Sequence, residues 1–191
     1  KGERFTDEGQ TYVQMSRDVA AMTKANWAYM IVDQAGHDVP ILANDWESYK
    51  RTKAPVYVGQ TLDEAAEKAG LPVDAVKATV KAYNEAIAAG KGKTLTPVNT
   101  LPKARTVEKA PFYIVPFQGG MTATFGGPLI NVKGQVLDTE NHVIDGLFAI
   151  GNAAGGLFYD NYIGGAQLTS AAVYGIVVAD FVKAAKTPAG K

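Results

Sequence analysis

Leu147-Phe148-Ala149-Ile150-Gly151-Asn152-Ala153-Ala154-Gly155-Gly156, followed by Gly164-Gly165 and then Ala166-Gln167-Leu168, is the stretch whose reading decides the fold. The apolar run 147–150 reads as a strand covered on both faces. The segment from about Ala166 to Ala185 reads as a long helix, almost wholly apolar through Val178, and so as a deeply buried one. A lone glycine pair reads as a turn. Two clusters that flank a strand and open a helix read as a ligand site, because glycine lets backbone approach a ligand closely. The exposed N–H groups and positive dipole end of that helix favour an anionic or electron-rich partner.

Upstream of this stretch, Leu129–Val132 and Gln135–Asp138 flank Lys133-Gly134, which predicts a hairpin turn. Residues 112–117 are β-rich. Earlier still the pattern turns helical. Pro72 starts a helix with Val73, Val76, Val80, Tyr83 and Ile87 on one face, and Gly90 ends it. Thr61, with Glu64 three residues on, predicts a capping box for a helix over 62–69 that Gly70 ends. Asn44 or Asp45 is placed to cap a short helix running to about Tyr49. A short buried strand is expected over 29–33, and a helix near 13–24. The Gly-, Lys-, Thr- and Pro-rich residues 90–110 form a connecting loop. The boundary falls near residue 105, dividing a mainly helical part, 1–105, from a β-rich part with one buried helix, 106–191.

Composition narrows the class. Of 191 residues, 47% are hydrophobic and 20% charged, which suits a packed core rather than disorder. Lys plus Arg and Asp plus Glu number 19 each, so no global field draws nucleic acid or an acidic membrane surface. Cysteine is absent, which excludes disulfides, thiolate catalysis and Cys-ligated metals. His37 and His142 lie in polar turns with no partner at metal-ligand spacing, so no metal is expected. No apolar run approaches the roughly 18 residues that span a bilayer, so no membrane span is expected. The start at Lys1 suggests a cut chain. The expectation is a soluble protein, cytoplasmic or exported, with no signal in this chain to decide between them.

The order of motifs carries a resemblance. Ala110-Pro111-Phe112-Tyr113, Gly126-Gly127, Ile144-Asp145-Gly146-Leu147-Phe148-Ala149-Ile150-Gly151-Asn152, Gly155-Gly156 and Gly164-Gly165 fall in the order seen in the fumarate reductase and 3-ketosteroid dehydrogenase superfamily of FAD enzymes. Gly2-Glu3-Arg4-Phe5-Thr6-Asp7-Glu8 resembles the "GxRFxNE" stretch of its capping domain. The resemblance implies an α/β fold: the second half of a Rossmann-like FAD-binding domain plus part of a helical and β capping domain. It implies FAD as cofactor, with Gly126, Gly127, Gly151, Asn152, Gly155, Gly164, Gly165, Ala166, Gln167 and Leu168 on it. The Gly-x-Gly-x-x-Gly loop that holds the FAD pyrophosphate in such proteins is not found in this sequence. The resemblance therefore implies that the amino-terminal half of the FAD domain, from the same precursor or a second chain, is a partner. The chain alone is expected to bind FAD weakly and to be inactive.

Departures from the family pattern bear on substrate. Fumarate reductases carry His in the segment matching Met121-Thr122-Ala123-Thr124, and Arg where Tyr162 stands in Asn161-Tyr162-Ile163-Gly164-Gly165. The proton-donating Arg of the cap aligns with Tyr12. Without these cations a dicarboxylate has no bidentate grip. Ketosteroid dehydrogenases have Tyr at both positions. The resemblance thus implies Tyr12 in proton transfer at carbon, and Tyr162, with a backbone N–H, polarising a ketone oxygen. The plainer readings are an exposed cap residue for Tyr12 and a packing aromatic for Tyr162. The leading expectation is hydride transfer between FAD and a small-molecule unsaturated substrate, a carbon–carbon double bond conjugated to a carbonyl. The alternatives are an enoate reductase with Tyr in place of Arg and His, and a non-catalytic flavoprotein-like binding or assembly module.

Overall fold

The structure, a computed structural model, describes residues 1–22, 27–121 and 123–186. The chain divides into two compact units, Lys1–Gly120 and Met121–Lys191.

The first unit is built on a three-stranded antiparallel sheet of β1 (Trp27–Asp33), β2 (Tyr57–Gly59) and β3 (Phe112–Gln118), in the order β1-β3-β2. The central strand β3 pairs with β1 along its whole length, from Trp27 opposite Gln118 to Asp33 opposite Phe112. Its Ile114 and Val115 are fully buried. That pairing carries the compact unit on to Gly120, past the division expected near residue 105. Around the sheet lie α1 (Tyr12–Met22), α2 (Gln34–His37), α3 (Ala43–Thr52), α4 (Leu62–Lys68) and α5 (Val73–Ala88). The core joins Ala65, Ala66 and Ala69 to Val76, Val80 and Ile114. Three alanines let α4 come close to the sheet. A Cβ on Gly59 would stand 2.5 Å from the Ala65 amide.

Local signals account for the helix ends. The Thr61 hydroxyl accepts from the Glu64 amide at 3.1 Å, and the Glu64 carboxylate reaches back to the Gln60 amide at 2.7 Å. Gly70 and Gly90 end α4 and α5 at φ +66° and +68°, a conformation glycine takes without a Cβ penalty. Two expectations need correction. The cap of α3 is neither Asn44 nor Asp45. A 3₁₀ turn over Pro40–Leu42 runs into that helix, and Leu42 caps it without a side-chain bond. Strand β1 is only half buried: Trp27 and Tyr29 are exposed, while Ile31 on the same face packs against the core, so cover reaches only the end of the strand nearer Asp33.

Asp33 ties β1 to the approach of β3. Its carboxylate accepts from the Gly36 amide at 2.8 Å, the Glu108 amide at 3.0 Å and the Lys109 amide at 2.9 Å. Burial pushes this carboxyl up, but the amides of Lys109, Glu108 and Gly36 together hold it below the ordinary aspartate value.

The second unit holds β4 (Gln135–Leu137) paired antiparallel with β5 (Val143–Phe148), an isolated bridge between Ile130 and Val136, and α6 (Ala166–Lys186). The hairpin turn forms as expected: the Gly134 amide donates to the Asn131 carbonyl at 2.9 Å, with Gly134 at φ +75°. Its glycine also admits α6, since a Cβ there would stand 2.4 Å from Val178 Cγ2. Mixed helix and strand content agrees with the expected α/β class.

Burial in this unit corrects two expectations. Strand β5 is exposed along Val143, Ile144 and Leu147, not covered on both faces. Helix α6 is open, with Leu168 78%, Val173 51% and Ile176 66% exposed. One hairpin covers one stripe of a helix that is apolar nearly all round. Ala166–Ala185, at 20 residues and a mean hydropathy of 1.5, is long and apolar enough to cross a membrane, by length and composition only. Its Gln167, Thr169 and Ser170 interrupt the apolar run, and the core helix of a soluble protein has the same length and composition.

Candidate functional site

The glycines expected to hold a cofactor fall into two groups. Gly127, Gly151 and Gly155 are packed against backbone or helix. A Cβ on Gly155 would stand 2.4 Å from the Gly127 carbonyl oxygen, and one on Gly127 2.5 Å from the Ala153 carbonyl oxygen. The Gly155 amide donates to the Pro128 carbonyl at 3.0 Å, and the Thr124 hydroxyl donates to the Asn152 carbonyl. Gly151, buried at φ +57°, lets Ala171 of α6 sit against the turn. These residues form a clasp between the extended segment after Gly126 and the turn after β5.

Gly164 and Gly165 are different. A Cβ at either would meet nothing within 4 Å, and Gly165 takes φ +82°. They open α6, whose length of 21 residues gives a full helix dipole. The Ala166 amide donates to the Ile163 carbonyl and the Thr169 amide to the Gly165 carbonyl, both at 3.0 Å. The first-turn amides between them are of the kind a helix leaves for a ligand.

Tyr162 stands at this mouth. Its hydroxyl accepts from the Gly165 amide at 3.3 Å, and its own amide donates to the Asn161 side chain at 2.9 Å. Its ring contacts Phe158 at 5.2 Å between centroids, and Phe158 contacts Phe125 at 5.4 Å. Leu157, Ile163, Gly164, Gly165, Thr169 and Val173 border an open apolar cavity of about 500 Å³ on the same end of α6. Gln167 is 7% exposed, and neither of its amide atoms has a hydrogen-bond partner among the described residues. Ala166 is half-buried and Leu168 exposed, while Asn152 and Gly126 lie at the surface. A bare-backbone helix start beside an orphaned buried amide fits a polar ring system better than it fits an apolar cap.

Sequence reasoning missed Phe125 and Phe158. The signal was present: an aromatic residue just before Gly126-Gly127 and another two residues after Gly156. Their convergence needs the clasp. Thr122, compared with the family's His segment, lies outside the described residues.

In the first unit the motif resembling "GxRFxNE" works as a brace. Arg4 donates to the Glu8 carboxylate at 2.7 and 2.5 Å and to the carbonyls of Pro97 and Val98. Its hydrogen bond to Glu8 raises the Arg4 pKa further above its already high ordinary value. Asp7 accepts from the Thr100 hydroxyl at 2.6 Å, which holds its carboxyl below the ordinary range. The Thr6 hydroxyl donates to Asp18 of α1 at 2.6 Å. The brace thereby fixes the start of α1, where Tyr12 stands 55% exposed. Tyr12 and Tyr162 belong to different units, and each is placed only within its own.

His37 does not lie in a polar turn. Its ring packs against both Trp46 at 4.7 Å and Tyr113 at 4.4 Å, and the Trp46 indole donates to the His37 carbonyl at 3.0 Å. Among the described residues no group of His, Cys, Asp and Glu is placed to hold a metal ion.

Comparison with known proteins gives one family match, described as "FAD binding domain", over residues 1–168. The chain is 32% identical over 184 residues to the NADH:acrylate oxidoreductase of Vibrio harveyi, covering 94% of this chain and 18% of that protein. Among solved structures it is similar to the open conformation of a flavocytochrome c3 fumarate reductase. The TM-score there is 0.72 at 29% identity, over 94% of this chain and 30% of the other. It shares the fold of the 3-ketosteroid Δ1-dehydrogenase from Sterolibacterium denitrificans, with a TM-score of 0.69 at 22% identity, over 97% of this chain and 38% of the other. The chain thus spans well under half the length of each of these proteins.

Proposed function

This chain belongs to the FAD-binding domain family, and on that footing we propose that it is part of an oxidoreductase acting on a carbon–carbon double bond conjugated to a carbonyl. FAD, the cofactor of the family, supplies a hydride donor and acceptor when bound. The residues that would hold it are those at the start of α6: Gly164, Gly165 and Ala166, which leave the approach bare, and the amides of Gln167 and Leu168. Gly126, Gly127, Gly151, Asn152 and Gly155 support that turn from behind.

The observation that carries the reading is the pairing of the Tyr162 hydroxyl with the Gly165 amide at the mouth of α6. A phenol that accepts from a backbone amide is polarised toward donating its own proton. Directed at a conjugated carbonyl, that proton stabilises the negative charge that develops on oxygen as hydride moves at the far end of the double bond. Tyr12 is assigned proton transfer at the neighbouring carbon. The first unit is then the substrate-covering cap and the second the flavin-holding part. Helix α6 and β5 are the faces that the amino-terminal half of the FAD domain covers.

The test is bleaching or reoxidation of the flavin in the intact protein by a panel of enones and enoates. Reaction with enones supports this reading. Reaction with enoates alone favours the second reading, an enoate reductase using Tyr, which the identity to the acrylate oxidoreductase supports. A protein that binds FAD but reacts with neither is the binding or assembly module.

A further inference from the structure

The aromatic series leading to Tyr162 is unused in the proposal above. Phe125, Phe158 and Tyr162 form one continuous surface, with ring centroids 5.4 and 5.2 Å apart and planes inclined at 46° and 55°. All three rings are half-buried, so each keeps a face or edge open. The clasp fixes the surface from both sides. Phe125 precedes Gly126-Gly127, and Phe158 follows Gly155-Gly156, and those two segments touch backbone to backbone. The series ends at a hydroxyl already hydrogen-bonded to the Gly165 amide.

Charge in the same segments is sparse. From Gly119 to Val132 and from Gly146 to Ala179, Asp160 is the sole Asp, Glu, Lys, Arg or His. Within these segments no cation is available for a carboxylate, whereas the aromatic surface suits a flat ring. Offset or edge-to-face contact with such a ring adds to the area it buries.

Resting on the function proposed above, we propose that Phe158 is a specificity-determining residue, selecting substrates that carry an uncharged aromatic ring conjugated to the reacting enone. Phe158 is the middle ring, in contact with both neighbours, so it sets the plane against which a substrate ring lies. The Tyr162 hydroxyl takes the carbonyl oxygen at the end of that plane. A small alkyl enone reaches the hydroxyl but leaves the aromatic surface uncovered.

The experiment uses the intact flavoprotein with 4-phenyl-3-buten-2-one and 3-penten-2-one, which share an enone and differ in the ring. Binding is followed by perturbation of the flavin absorption band, and turnover by kcat/KM. The parent should bind the phenyl enone about tenfold more tightly than the alkyl enone beyond their difference in octanol partition. Phe158→Leu, which keeps apolar bulk, should weaken the phenyl enone more than the alkyl enone and so abolish that extra preference, and Phe158→Tyr, which keeps a ring, should restore it. Equal losses for both ligands, or no ring preference in the parent, overturn the proposal and leave Phe158 a packing residue. If neither enone turns over, the proposed reaction is wrong. The binding comparison still decides the role of Phe158.

Discussion

Gly155 backs onto Gly127 so closely that a Cβ on Gly155 would stand 2.4 Å from the Gly127 carbonyl oxygen. Backbone on both sides leaves nothing flexible to yield. Gly155→Ala in the intact protein should therefore lower stability by on the order of 2–3 kcal/mol, as overpacking does. Gly164→Ala, where a Cβ meets nothing within 4 Å, should stay within about 0.5 kcal/mol. Denaturant unfolding checks both. Equal stability of the two variants would dissolve the distinction between clasp glycines and site glycines.

Asp33 should make the first unit acid-sensitive. Its folded-state pKa is depressed, because hydrogen bonds from the Lys109, Glu108 and Gly36 amides outweigh the opposing effect of burial. A depressed carboxyl contributes stability that is fully present above the ordinary aspartate pKa of about 3.9 and is lost as pH falls through the lower folded value. Asp33→Asn replaces one acceptor oxygen by an NH₂ group that must face at least one amide donor, that of Gly36 if the remaining oxygen keeps Glu108 and Lys109. It should cost on the order of 2–3 kcal/mol at neutral pH. The difference from the parent should shrink in acid, which unfolding curves across pH 2–7 would reveal.

Tyr162→Phe keeps the ring that contacts Phe158 and removes only the hydroxyl. If that hydroxyl donates to a developing enolate oxygen, single-turnover reaction of the flavin with an enone should slow by about a hundredfold to a thousandfold. Flavin affinity should be nearly unchanged. A rate within twofold of the parent would make Tyr162 a packing residue.

Tyr12→Phe should also slow turnover, through proton transfer and not through carbonyl polarisation. The solvent isotope effect on the flavin step should change in Tyr12→Phe and stay as in the parent in Tyr162→Phe. Identical isotope effects in both variants would remove the division of roles.

The 191-residue chain taken alone should self-associate through α6, whose Leu168, Val173 and Ile176 are exposed. Ile176→Lys should weaken that association in sedimentation velocity. The same chain lacks a Gly-x-Gly-x-x-Gly loop, so FAD titration should give only weak quenching of flavin fluorescence. Stoichiometric submicromolar binding would contradict the need for an amino-terminal partner.

Much of the local structure was legible in the sequence. Thr61 with Glu64, the period from Val73 to Ile87, the stops at Gly70 and Gly90 and the turn at Lys133-Gly134 all formed as read. Each rests on interactions within a few residues, which composition and spacing encode directly. The two tyrosines and the glycine pairs were singled out as candidates by their order. What each glycine does was not legible. Gly127 and Gly164 look alike in sequence, yet one is pressed on backbone and the other faces open space.

The sequence by itself therefore determined the helices, their ends, the hairpin and the positions of candidate chemistry. Tertiary structure alone decided that β3 joins the first unit, through pairing with the distant strands β1 and β2. It also decided that Phe125 and Phe158 meet Tyr162, and that β5 and α6 stand uncovered. Strand partnership and burial depend on which distant surfaces come together, and an apolar pattern records only that a surface needs cover, not whether the cover lies within the same chain.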